Sequence, residues 1–136
     1  MQNQNSNSKA LNISLWIAQV VLAAMFIMAG IMKSTQPIEK LSSMLPWVTN
    51  VPEILVRIIG VCEFFGAIGI LLPSLLRIQP KLTPTAATGI VIIMVLAIGL
   101  HLSRGESSVL GINIFIAVVA SFIAWGRFSK APIIAK

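Results

Sequence analysis

The chain has 136 residues, 57% of them hydrophobic and only 10% charged, with a net charge of +6 and a mean hydropathy of +0.93. A soluble domain is about a quarter charged, so this composition excludes an ordinary water-soluble enzyme and describes one compact membrane domain. The basic residues sit at the ends of apolar runs rather than in a patch, where they set topology and meet anionic headgroups, which argues against nucleic acid as a partner.

Residues 1–10 are polar and low in complexity and are expected to form a disordered tail. The membrane domain is expected over 11–128, with spans near 11–32, 54–76, 84–102 and 109–126, each long enough to cross ~30 Å of hydrocarbon. In the first span Gln19, Phe26, Gly30 and Lys33 share one helical stripe, a pattern that suits a bundle-facing side. An interhelical hydrogen bond is the simpler role for Gln19. Between the first two spans, Pro37 can open a short helix in which Ile38, Leu41 and Leu45 share a face, with Trp47 at the headgroup level. The expected fold is therefore all-α: a four-helix transmembrane bundle with an interfacial amphipathic helix after the first span.

Glu53 and Arg57 stand four residues apart in the favourable order and are expected to pair. Further along the second span, Glu63 lies about 13 Å into the helix at 1.5 Å per residue. An unpaired charge at that depth costs several kcal/mol and is by default a functional-site candidate. Gly60, Gly66 and Ala67 flank it and let a neighbouring helix approach, so Glu63 is expected to face protein. Cys62, the only cysteine, reads as a small apolar filler, and it leaves no dithiol pair or zinc cluster. With one histidine and four acids, no multi-ligand metal site is expected.

Pro73 and the linker 77–82 are expected to close the second span. Thr83 reads as a cap with Pro84 at the first helical position of the third. His101 and Arg104 share a face near the end of that span. In the fourth span Asn113, Ala117, Ala120 and Ala124 form a polar-then-small stripe, and residues 129–136 are a basic tail. The side holding Lys9, Arg77, Lys81, Arg127, Lys130 and Lys136 outweighs the side holding Lys33, Lys40, Arg57 and Arg104, which puts both termini in the cytoplasm.

The alternation of spans brings Lys33, Glu63, His101, Arg104 and Asn113 into the outer half of the bundle. Two readings stand side by side. In one, Glu63 is a buried anion held by Lys33 or Arg104, with His101 and Asn113 completing hydrogen bonds and fixing helix register. In the other, these groups line an outward pocket where Glu63 exchanges protons or binds a polar headgroup, with His101 as its titrating partner.

The segments AGIMK at Ala29–Lys33, GVCEFFGAIGILLP at Gly60–Pro73 and LHLSRGE at Leu100–Glu106 resemble, in order and spacing, the DoxX-like membrane proteins. The similarity runs from about Leu15 to Arg127. It implies a multi-pass protein of the bacterial cytoplasmic membrane, in which Lys33 and Glu63 match recurring charged positions. It also implies a small accessory or assembly subunit of a membrane system, one linked to quinone redox chemistry in the family's namesake. The alternative is a stand-alone enzyme or carrier that binds quinone, lipid or a small solute at Glu63. The residues themselves make no bound cofactor evident, and quinone is the candidate. The implied partners are the lipid bilayer and either a membrane protein or a second copy.

Overall fold

The computed structural model describes residues 2–136, with side chains from residue 8 onward. Five α-helices follow in order: α1 (Gln2–Thr35), α2 (Ile38–Ser42), α3 (Glu53–Leu76), α4 (Leu82–Ser103) and α5 (Leu110–Trp125). A 3-10 turn at Pro46–Asn50 precedes α3, and a π-helical turn at Gly126–Lys130 extends α5. Four stretches, Ser8–Thr35, Glu53–Leu76, Leu82–Ser103 and Leu110–Lys130, are long and apolar enough to span a membrane. Large apolar side chains such as Ile54, Phe65, Leu96 and Val118 point outward. A surface this apolar is tolerated in hydrocarbon and not in water.

α1 packs along α3 and α4 along α5, and the pairs meet through α3–α4 and α1–α5 contacts. Leu15, Gln19, Leu22, Phe26, Gly30 and Lys33 are the buried stripe of α1, with Ala23 beside it, spaced by threes and fours as a helix facing a partner must be. The main core (Leu22, Phe26, Ala67, Ile70, Ala87, Ile90, Ile116, Ala120, Ile123) lies toward the end of the bundle that holds both chain termini. Gln19 donates to the carbonyl of Ile70 at 2.9 Å and accepts from Arg127 Nε at 2.6 Å, so it is the interhelical bridge expected. At the same end the fully buried hydroxyls of Ser74 and Thr83 pair at 2.7 Å.

The crossing of α1 and α3 rests on two glycines. A methyl at Gly30 would stand 2.7 Å from the Gly60 carbonyl oxygen and the Phe64 nitrogen, and one at Gly60 would stand 2.7–2.8 Å from Ser34 and Lys33. At Gly66 the nearest atom would be Ile90 Cδ1 at 3.7 Å, so Gly66 is not needed for the approach.

Several expectations are corrected. The polar segment read as a disordered tail is helical from Gln2, continuous with α1, because extending a nucleated helix is far easier than starting one. The amphipathic helix ends at Ser42, and Leu45 takes φ −129° and ψ 81°, since the ring of Pro46 disfavours helix in the residue before it. Its apolar face folds onto α1 and α3 through Leu41, Val48 and Val56. α3 runs through Pro73 to Leu76, the end expected for the second span, and stops where Arg77 turns left-handed. Thr83 lies inside α4, which starts at Leu82, and its hydroxyl serves Ser74 rather than the helix end. Within the basic tail, residues 131–136 fold back on the α3–α4 loop: Arg77 Nε donates to the Ile134 carbonyl at 2.8 Å and the Lys136 amide to the Arg77 carbonyl at 3.0 Å.

Candidate functional site

At the end away from the termini, the α1–α3 pair and the α4–α5 pair diverge, and core contacts between them stop near Phe26, Ala67, Met94 and Ile116. The space between them is a cavity of about 730 Å³, a volume that suits a small organic ligand. Its walls are mainly apolar (Phe26, Met28, Ile58, Ile93, Met94, Ile116), and Lys33, Glu63, His101, Arg104 and Asn113 all line it. The five polar residues picked out from spacing alone thus share one cavity, one or two from each spanning helix.

Three of them enter two separate pairs, the second completed by Glu106. Lys33 Nζ donates to Glu63 Oε1 at 2.7 Å, with the two side chains 11% and 13% exposed. Glu63 Oε2 is buried and has no partner among the described residues. The Gly30–Gly60 approach sets this pair, because it brings the Lys33 backbone against α3 one turn from Glu63. His101 does not reach Glu63, contrary to expectation: its Nδ1 lies 2.6 Å from Glu106 Oε2. The cause is local. Gly105 takes φ +70°, and the amides of Glu106 and Gly105 donate to the carbonyls of His101 and Leu102, the pattern of a Schellman C-cap. That turn brings Glu106 back to the ring of His101. Arg104 and Asn113 line the cavity without joining either pair.

Trp47 links the two pairs. Its ring lies 5.7 Å from Lys33 Nζ and meets the His101 ring edge-on at 6.2 Å. Sequence reasoning placed Trp47 at the headgroups and passed over its role beside the site. Glu106 was missed as well, although a glycine just before it is the ordinary signal for a chain reversal after a helix. Arg57 pairs with Glu53 at 2.9 Å as expected, and it also donates to the carbonyls of Lys33 and Gln36, closing the end of α1. Cys62 is not a filler: it is exposed and lines the cavity beside Glu63.

Chemically, the site offers a carboxylate oxygen, an amide, an ammonium and a guanidinium among mainly apolar walls. Such an arrangement accepts a molecule with a polar head and an apolar body. Neither a curated protein nor a solved structure matches the chain. The model of the DoxX-like family matches residues 17–123, a stretch that contains all four spans' core, both pairs and the whole cavity wall from Ala24 to Ile116, and the chain is a multi-pass membrane protein belonging to that family.

Proposed function

We propose that this DoxX-like protein holds an amphipathic, quinone-like molecule in the cavity between its helix pairs and serves a membrane redox system as a small accessory subunit. The observation that carries this reading is the convergence of Lys33, Glu63, His101, Arg104 and Asn113 on one apolar cavity, with one Glu63 oxygen buried and unpartnered among the described residues. A quinone needs donors near its carbonyls inside an apolar slot, and Lys33, Asn113 and Arg104 supply donors there. With a single cysteine the chain has no dithiol pair of its own, so electron transfer belongs to a partner in this reading. A stand-alone carrier or enzyme using Glu63 is the alternative, and co-purification of a second chain separates the two.

The termini end carries Lys9, Arg77, Lys81, Arg127, Lys130 and Lys136 and no acidic side chain, which supports a cytoplasmic placement of that end in a bacterial inner membrane. The cavity then faces the outer leaflet. The direct Lys33–Glu63 contact favours a second, structural reading, in which the pair fixes the register of α1 on α3.

The test is a thermal-shift measurement in detergent with a fully ring-substituted short-chain quinone, on wild type, Glu63→Gln and Ala97→Trp. Ala97 lines the cavity, and an indole there takes up part of the space a ligand would occupy. The ligand is expected to raise the melting temperature of wild type and of neither variant. A shift retained in Ala97→Trp refutes the cavity as the site. A lower melting point for Glu63→Gln, with no ligand response in any protein, supports the structural reading.

A further inference from the structure

The termini end holds a second constellation, built around Arg127. This residue is 3% exposed. Its Nε and Nη1 donate to Gln19 Oε1 (2.6 Å), Asn12 Oδ1 (2.7 Å) and the Ala131 carbonyl (2.8 Å), and its guanidinium lies 5.3 Å from the Trp16 ring centroid. Every one of these partners is neutral. Nη2 is buried and has no hydrogen-bond partner among the described residues. No acidic side chain is within reach, because the chain has four and Glu39, Glu53, Glu63 and Glu106 all belong to the opposite end. Three of those are already paired there.

A buried guanidinium without a counter-charge is costly, and natural proteins keep such a group when something neutralises it. Arg127 lines a cavity of about 460 Å³ together with Lys81 and Gln79, walled by Pro80, Phe128 and Ile133. Two segments form its rim, the α3–α4 loop and residues 131–136, and they are locked together by the Arg77–Ile134 and Lys136–Arg77 hydrogen bonds. Arg77 and Gln79 both hold left-handed backbone, at φ 56° and 48°. Side chains other than glycine keep that conformation only where their surroundings impose it.

We propose that this cavity binds the phosphate group of an anion, with Arg127 and Lys81 as its charged ligands. A guanidinium and an ammonium are the usual partners of phosphate oxygens, and hydrogen bonds between charged groups are roughly twice as strong as neutral ones. The phosphate has two candidate sources, an anionic lipid headgroup or a free phosphate from the aqueous side. Trp16 and Trp125 stand at this end, as aromatics at a headgroup layer do.

The experiment uses the full chain, delipidated in neutral detergent. Its melting temperature is recorded with inorganic phosphate against chloride at equal ionic strength, and with phosphatidylglycerol against phosphatidylcholine in mixed micelles. Wild type is expected to be stabilised by phosphatidylglycerol, by phosphate, or by both over their controls; the first alone identifies a lipid headgroup, and phosphate activity identifies a soluble source. Lys81→Gln, at an exposed position with no part in the core, is expected to weaken the apparent affinity about tenfold, the effect of losing one charge-assisted hydrogen bond. Arg127→Gln is expected to abolish the response; if it does not fold, Lys81→Gln carries the test. No stabilisation beyond the controls, or an unchanged affinity in Lys81→Gln, overturns the proposal.

Discussion

Replacing Gly60 with alanine puts a methyl group 2.7 Å from Ser34 Oγ and 2.8 Å from Lys33 Cβ and the Ser34 nitrogen. Ordinary contacts begin at 3.4 Å, so the shortfall is 3.4 − 2.7, about 0.7 Å at the worst contact. Two of the three obstructing atoms belong to the backbone or its first side-chain carbon, so relief requires α1 and α3 to move apart. Overpacking of this kind costs roughly 1–3 kcal/mol, offset by about 1 kcal/mol of helix propensity gained on replacing glycine. The net expectation is a loss of about 1 kcal/mol. Gly66→Ala is the internal control: its methyl meets nothing nearer than 3.7 Å, so only the propensity gain of about 1 kcal/mol remains. The two variants are expected to move in opposite directions, roughly 5–10 °C apart in melting temperature for a domain of this size. Thermal unfolding in detergent, followed by helical circular dichroism, reads the difference. A Gly60→Ala protein that melts at or above Gly66→Ala would falsify the close-crossing account and, with it, the explanation of how Lys33 meets Glu63.

Three further outcomes follow from the same geometry. Lys33→Met leaves the Glu63 carboxylate buried without its partner and is expected to cost about 3–5 kcal/mol, most of it recovered in Lys33→Met/Glu63→Met; simple additivity in that cycle rules out a direct ion pair. Thr83→Val strands the buried Ser74 hydroxyl and is expected to cost about 1 kcal/mol, with Ser74→Ala/Thr83→Val closer to wild type than Thr83→Val in denaturant melts. Gly105→Ala forces a side chain into φ +70° and is expected to cost about 1–2 kcal/mol. Gly99→Ala, within α4 and facing open space, should instead be neutral or stabilising, and equal melting points for these two variants would contradict the Schellman cap.

The spans were readable because apolar length and charge are set locally, and so was the α1 stripe from Gln19 to Lys33, whose three-and-four spacing survives any detail of packing. The convergence of five polar residues was readable for a similar reason: antiparallel alternation assigns each residue an end of the bundle. Their pairing was not readable from alternation alone. Which cation meets Glu63 depends on a helix separation of a few tenths of an ångström at Gly30 and Gly60, and the partner of His101 depends on the backbone sign at Gly105. Arg127 entered the sequence reading only as one of the basic residues at its end of the bundle. Its burial depends on contacts with Asn12 and Gln19, more than a hundred residues away in sequence, which no local pattern encodes. Thr83 misled for the opposite reason, because its buried contact with Ser74 overrode a local capping preference.

In the proposed function an amphipathic molecule occupies the cavity between the helix pairs. Cys62 tests it directly, being the single cysteine of the chain, exposed, and part of the cavity wall beside Glu63. The measurement is the rate of alkylation of Cys62 by N-ethylmaleimide in membrane vesicles, with and without a fully ring-substituted short-chain quinone. The account predicts that the quinone slows labelling of wild type several-fold and leaves the slower basal rate of Ala97→Trp unchanged. A labelling rate in wild type that does not respond to quinone, at concentrations that raise its melting temperature, would place the ligand elsewhere and contradict the account.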